Sequence, residues 1–347
     1  MQTSAVLRTA GMAAVLLSLG LACQPKGSPD TASAVLPLEL WQTYQSRFIE
    51  AGRVIDHANG GISHSEGQAY GMLLAEAAAD RQQFDQLWAW TRRVLQRPDG
   101  LFAWRYEPCP GEDATCVTDQ NNASDGEILL AWALLRAHQR WQQPEHFLAA
   151  QSISTAVQEH LLVERQGQLF ILPGLQGFED QNGLTLNGSY WVFPALESFA
   201  SAFPDQPWPR VIAAGQWLLA EGRFGQHGLP ADWLILTDQG LQISDKYPPR
   251  YGFDAVRIPL HLAWSRQGID ATQLAPFEAF WQQQTPPPAW VDLHNNQTAE
   301  YTWPSGMAAI AALARGKTPL PLPSKDDGYF SWSLSLLSQV AARETQR

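Results

Sequence analysis

Cysteine is scarce, with three in 347 residues, so neither a disulfide-dense scaffold nor a multi-cysteine zinc module can be built. The eight histidines are scattered without ligand spacing, which leaves no metal site to propose. Basic charge is also short. Lys and Arg total 23 against 34 Asp and Glu, a net charge of −11, and no basic run occurs, so nucleic acid and anionic membrane surfaces are poor partners. No apolar run approaches the roughly 20 residues of a spanning helix. Several catalytic motifs are missing too. There is no Gly-x-Ser-x-Gly elbow and no His-Glu-x-x-His, and Gly316-Lys317-Thr318 is preceded by Ala311 where a phosphate loop needs glycine.

What the chain does have is apolar mass. Hydrophobic residues make up 45%, enough for a large core and too many for a disordered chain. Tryptophan stands out at 15, beside 14 Phe and 8 Tyr. Indoles present wide flat faces that suit sugar rings, and they equally suit an aromatic core.

The chain starts with one positive charge, Arg8, followed by an uncharged run from Thr9 to Ala22, the build of a secretory signal over residues 1–22. Cys23 follows Ala22 as the modified cysteine follows a small residue in a lipoprotein box; ordinary cleavage nearby, with Cys23 incidental, is the alternative. Residues 24–35 are polar and rich in Gly, Ser and Pro, a tether to a folded body over 36–347. Export to the periplasm, or attachment to the outer membrane through a lipid on Cys23, is the expectation. Two cysteines then remain, Cys109 and Cys116, an even pair that reads as one disulfide in an oxidising compartment.

The body reads as helical. Phe84, Leu87, Trp88, Thr91, Val94 and Leu95 recur with amphipathic helix spacing, whereas Ile128–Ala137 and Val211–Ala220 are apolar nearly all round, as buried helices are. Proline and glycine breakers cut the chain into helix-pair lengths, and strand-like stretches such as Leu169–Leu172 and Leu234–Leu236 are few. An all-α toroid of helical hairpins with minor β segments follows.

Three segments set acids among Gly, Ser and aromatic residues at apparent loop-to-helix junctions. In Ser63-His64-Ser65-Glu66-Gly67-Gln68-Ala69-Tyr70-Gly71-Met72, Ser65 can cap the helix, with Glu66 in its first turn. In Asn121-Asn122-Ala123-Ser124-Asp125-Gly126-Glu127 the acid Asp125 stands at the mouth of the most apolar helix, as a plain cap or as a grip on a sugar hydroxyl. In Tyr251-Gly252-Phe253-Asp254-Ala255-Val256-Arg257 the spacing lets Asp254 and Arg257 pair.

Together these segments resemble glycoside hydrolase family 8, in particular the branch that accompanies bacterial cellulose synthases, from about Leu38 to the C-terminus. The resemblance implies an (α/α)6 barrel with Glu66 as general acid, Asp125 as a sugar-binding acid, Asp254 as general base and Arg257 orienting the site. Asn187-Gly188-Ser189-Tyr190 and Ala231-Asp232-Trp233 are further similar stretches, placing Tyr190 at the cleaved sugar and Trp233 in the cleft or its wall. Glu127 replaces the usual Asp, Leu130 an Ile or Met, and Phe253 the Tyr that commonly precedes the base. The implied reaction is metal-free, cofactor-free, inverting hydrolysis of a β-1,4-linked polysaccharide by a monomer, in the service of cellulose synthesis or turnover. Such chemistry needs Glu66 protonated, which a neighbouring Asp125 would favour, and Asp254 ionised, which Arg257 would favour. Trp104, Trp132 and Trp191 are available for stacking, with Trp104 the best placed. Xylan, mixed-linkage glucan and chitosan are alternative substrates, and a non-catalytic glycan-binding lipoprotein is the rival of another class.

Overall fold

Burial sorts the helices of this computed structural model into two classes; it describes residues 1–2, 34–110, 116–266, 271–284 and 286–345. The signal run, Cys23 and most of the 24–35 segment lie outside the described residues. Helices α2 (Ser65–Ala77), α4 (Ser124–Trp141), α6 (Phe193–Ala202), α8 (Ile258–Trp264), α10 (Ser305–Ala314) and α11 (Tyr329–Thr345) pack successively, α2 on α4 and so on to α11, which returns to α2 and closes a ring of six. Helices α1 (Leu38–Phe48), α3 (Arg81–Val94), α5 (Pro144–Leu161), α7 (Trp208–Glu221) and α9 (Ala271–Gln283) alternate with them along the chain on the outside. This is an (α/α)6 barrel. Between α10 and α11 an outer helix is missing; Pro319, Pro321 and Pro323 crowd that connection and deny it helical hydrogen bonds.

The outer helix α3 buries Phe84, Leu87, Trp88, Thr91 and Val94 along one stripe, and Asp80 caps it by accepting the Gln83 N–H at 3.0 Å. The ring helix α4 buries an unbroken run from Ser124 to Leu135. Helix α7 departs from its all-round apolar pattern: Ala213, Gln216 and Ala220 face solvent, so it is an outer helix whose exposed side is merely small. Short strands are more numerous than the sequence suggests. Ser63–His64, Arg105–Tyr106 and Val117–Asp119 form one antiparallel sheet, and Gly240–Ile243, Leu234–Thr237, Gly183–Leu186 and Glu179–Asp180 another, in that spatial order.

Because an outer helix runs back after each ring helix from α2 to α8, and the connection over residues 315–328 does so after α10, the ring helices point the same way. Their N-termini gather on one face: Gly306 at the start of α10 donates to Ser331 Oγ in α11, and the ring of Tyr329 meets that of His64 before α2. At the other end Glu76, Arg136, Arg140 and Glu344 interlock, Arg136 bridging Glu76 at 2.7 Å and Glu344 at 2.6 Å. There too the described body begins, with the N–H groups of Val35 and Leu36 both bonded to the Ala77 carbonyl, at 2.7 and 3.0 Å. Among the described residues no helix is long and apolar enough to cross a membrane.

Candidate active site

The N-terminal face of the ring carries a cavity of about 200 Å³ lined by His64, Glu66, Trp104, Asp125, Tyr190, Asp254 and Arg257, among others. They arrive from several elements, with Asp254 and Arg257 sharing one. Glu66 lies in the first turn of α2 and Asp125 in that of α4, where the helix dipoles favour negative charge. Tyr190 ends a 3-10 turn, Gly188–Tyr190, ahead of α6, and Asp254 opens the 3-10 turn Ala255–Arg257 that feeds α8.

Arg257 ties these elements together. Its Nη1 donates to Asp125 Oδ2 at 2.9 Å and also to Glu66 Oε1; its Nη2 donates to Asp254 Oδ1 at 2.6 Å and to Ser189 Oγ at 2.8 Å. The guanidinium therefore stands between the Glu66 and Asp254 carboxyls and keeps them from touching. Its centre also lies 5.6 Å from the Tyr190 ring, a cation–π contact. Tyr70, one helical turn beyond Glu66, donates its hydroxyl to the same Oε1 at 2.8 Å.

The electrostatics follow from this packing. Burial pushes Asp125 up to about 7, the neighbouring Glu66 charge adds to the rise, and Arg257 opposes both. Asp254 was expected to fall beside Arg257. Instead it is raised, because burial and the Glu66 charge outweigh the guanidinium, although at 30% side-chain exposure it is the most open of the three acids. His261, behind Arg257, is pushed down to about 3 by burial and stays neutral. The His64 ring is lowered by its burial too, and its Nδ1 accepts the Gly67 N–H at 3.0 Å.

That contact corrects the expected cap: His64, not Ser65, caps α2, and the Ser65 hydroxyl is buried without a partner. Helix α4, by contrast, has no side-chain cap; Asp125 Oδ1 accepts the N–H of Gly126 at 2.9 Å, and Ser124 Oγ is unpartnered. Trp104 is half-buried at the cavity edge, its indole N–H donated to Asp119 Oδ2 at 2.7 Å. Trp132 and Trp191 do not reach the cavity. The first packs edge-on against Trp264 and the second, 1% exposed, donates to the Val211 carbonyl. Trp233 stacks with Tyr247, centroids 4.3 Å apart, and with Phe178, at 5.8 Å, and meets the ring of Tyr190 edge-on, so it is a wall residue behind Tyr190. Phe253 packs edge-on against Phe330. Cys109 and Cys116 are joined in a disulfide with Cα atoms 5.5 Å apart, on the two arms of the hairpin that also carries Trp104 and Asp119. Among the described residues no group of three or more His, Cys, Asp or Glu is arranged to hold a metal.

The family model for glycosyl hydrolases family 8 matches residues 17–344. The chain belongs to that family. This family 8 hydrolase is 37% identical to an endoglucanase of Cellulomonas uda over 88% of its own length and 83% of the relative's. It is 36% identical to a probable endoglucanase of Novacetimonas hansenii over 98% of both chains. Its fold superposes with a TM-score of 0.83 on the family 8 endoglucanase Cel10 of Klebsiella pneumoniae, at 39% identity, covering 89% of this chain and all of that one.

Two opposed carboxyls lining one cavity can work as an acid and a base on a glycosidic bond lodged between them. The site of this family 8 hydrolase also includes contacts from residues to which the sequence assigned no role. Tyr70 was legible as the i+4 neighbour of Glu66. Ser189 and Asp232 stand within stretches already singled out, yet only the fold shows what they bind. Asp119 had no signal.

Proposed function

We propose that this chain is an endo-β-1,4-glucanase that hydrolyses its polymer with inversion, Glu66 serving as general acid and Asp254 as general base. The observation that carries this is the Arg257 guanidinium standing between the two carboxyls at a cavity also lined by Asp125, Tyr190 and Trp104. Tyr70 and Arg257 fix Glu66 Oε1, which orients the carboxyl toward the leaving oxygen. Both acids line the same cavity, and in the inverting reaction Asp254 activates a water there while Glu66 protonates the leaving oxygen. Asp125 grips a sugar hydroxyl beside the bond, Tyr190 faces the same ring, and Trp104 stacks on a neighbouring sugar. The endoglucanase names of relatives at 36–37% identity support a β-1,4-glucan as the polymer.

The location belongs to the same proposal: an exported monomer, held in the periplasm or at the outer membrane by a lipid on Cys23, trimming glucan beside a cellulose synthase. The charged start, the apolar run and the cysteine after Ala22 support it. Labelled palmitate entering the wild type but not Cys23→Ala is the outcome expected; equal labelling, or none in either, removes the lipid.

The reaction is tested with a cello-oligosaccharide by proton NMR before mutarotation, in parallel with a panel of cellulose, mixed-linkage glucan, xylan and chitosan. The α-anomer should appear first, and the β-1,4-glucan should turn over fastest. Glu66→Gln and Asp254→Asn should each lose about 10²- to 10⁴-fold in kcat while keeping the fold. A β-anomer first, or an active Asp254→Asn, overturns the assignment.

A further inference from the structure

The base candidate sits on a short loop, and a buried acid outside the cavity grips that loop at both ends. Asp232 is 3% exposed. Its Oδ1 accepts the N–H of Gly252 at 2.9 Å and that of Ala255 at 2.9 Å, the two residues flanking Phe253-Asp254. Its Oδ2 faces Arg250 Nε at 3.3 Å, and its own N–H donates to the Arg250 carbonyl at 2.7 Å. One side chain thus spans the turn from start to finish. Asp232 is itself anchored, standing two residues before the strand Leu234–Thr237, whose Leu234 pairs with Leu186 of Gly183–Leu186. Asn187-Gly188-Ser189-Tyr190 leaves the end of that second strand. The sheet therefore sets the Asp254 loop in register with Ser189 and Tyr190, which meet Arg257.

We propose that Asp232 is a positioning residue for Asp254: one carboxylate oxygen, bound to two backbone N–H groups, fixes the turn that aims Asp254 into the cavity. The proposal rests on Asp254 being the base. Asp232 acts through shape: it is pushed up to about 7, first by burial and then by Asp254, whereas Asp254 is raised by burial and by Glu66. What Asp232 contributes to the base is the pair of N–H groups it holds on either side of Phe253-Asp254.

Asp232→Asn keeps an acceptor oxygen for both N–H groups, so its kcat should stay within about threefold of wild type. Asp232→Ala removes the acceptor, and its kcat should fall about 10- to 100-fold, as small misplacements of a catalytic group do, with KM within about twofold. Gly252→Ala is the companion, since the added methyl would lie 2.8 Å from Asp232 Oδ2 and dislodge the clamp; it should show the same kcat loss. Wild-type kcat in folded Asp232→Ala and Gly252→Ala overturns the inference, and so does an Asp232→Asn no more active than Asp232→Ala, which marks a merely structural role. Asp254→Asn separates the two ideas: if it is inactive while both clamp variants behave as wild type, the clamp alone fails, and if it is active, the base assignment fails first.

Discussion

Arg257 donates to Asp254 at 2.6 Å from three residues further along the chain, so one 3-10 turn carries both an acid and its counter-ion. The same guanidinium reaches acids on α2 and α4, so the site is a single ion-pair network in which each partner affects the others. Arg257→Lys keeps the charge and loses the fork, which cannot then serve Glu66, Asp125, Ser189 and Asp254 at once. A kcat loss of about 10²-fold with an unchanged circular dichroism spectrum is expected; near-normal kcat would show that the fork does not set the geometry.

Asp125 is pushed up to about 7 by burial and by Glu66, so its negative charge and the Glu66 charge work against each other. Asp125→Asn deletes one of the two. In the wild type Asp125 gains its charge near neutral pH, and the variant has no such group to ionise. A change in kcat centred near pH 7 in the wild type should be absent from Asp125→Asn; the two pH–rate profiles are the check, and identical profiles would show that the ionisation of Asp125 does not affect the reaction.

Trp104 is steadied through its indole N–H by Asp119. Trp104→Ala should raise KM for long oligosaccharides more than it lowers kcat, because a stacking surface acts alike on bound substrate and transition state. Asp119→Ala should give a weaker version of the same pattern, as the ring stays but its hold is lost. Steady-state kinetics on oligosaccharides of increasing length measure both.

Glu127 is buried, pushed up to about 8 by its burial, and accepts the Phe102 N–H at 2.8 Å and the Asn122 amide at 3.2 Å. Glu127→Ala leaves two buried donors unpaired and should cost about 2 to 4 kcal/mol, read as a lower denaturant midpoint. The wild type carries a pH signature as well. The folded-state carboxyl holds its proton well above the ordinary 4.5 of a glutamate, so the folded protein binds more protons and Glu127 erodes stability as pH climbs from about 4.5 to 8. That slope should vanish in Glu127→Gln.

The helical body was legible because periodicity reports burial directly, as in Phe84 to Val94. Of the strands, the stretches Leu169–Leu172 and Leu234–Leu236 were legible and fall on Gln168–Ile171 and Leu234–Thr237; the others were not, because strands of two to four residues carry too little alternation to separate from loop. Val211–Ala220 misled for a physical reason: Ala213 and Ala220 are small enough to face water at little cost, so an apolar sequence need not be an enclosed one. At the site, the three acids announced themselves through their junction contexts. The clamp did not, since Asp232 reaches Gly252 and Ala255 about twenty residues away through backbone groups that no side-chain pattern records. His64 displaced Ser65 as the cap for a similar reason, because an imidazole nitrogen can reach the third N–H of a helix as a hydroxyl does.

Val35 and Leu36 are pinned to the carbonyl of Ala77, the last residue of α2, while Glu66 lies in its first turn. Eleven residues of helix separate the two, about 16 Å along its axis. Val35 and Leu36 therefore join the barrel at its floor, a helix length from the mouth. A long polymer laid across the mouth would pass over the segments that carry Trp104, Tyr190 and Asp254 and would not meet Val35 or Leu36.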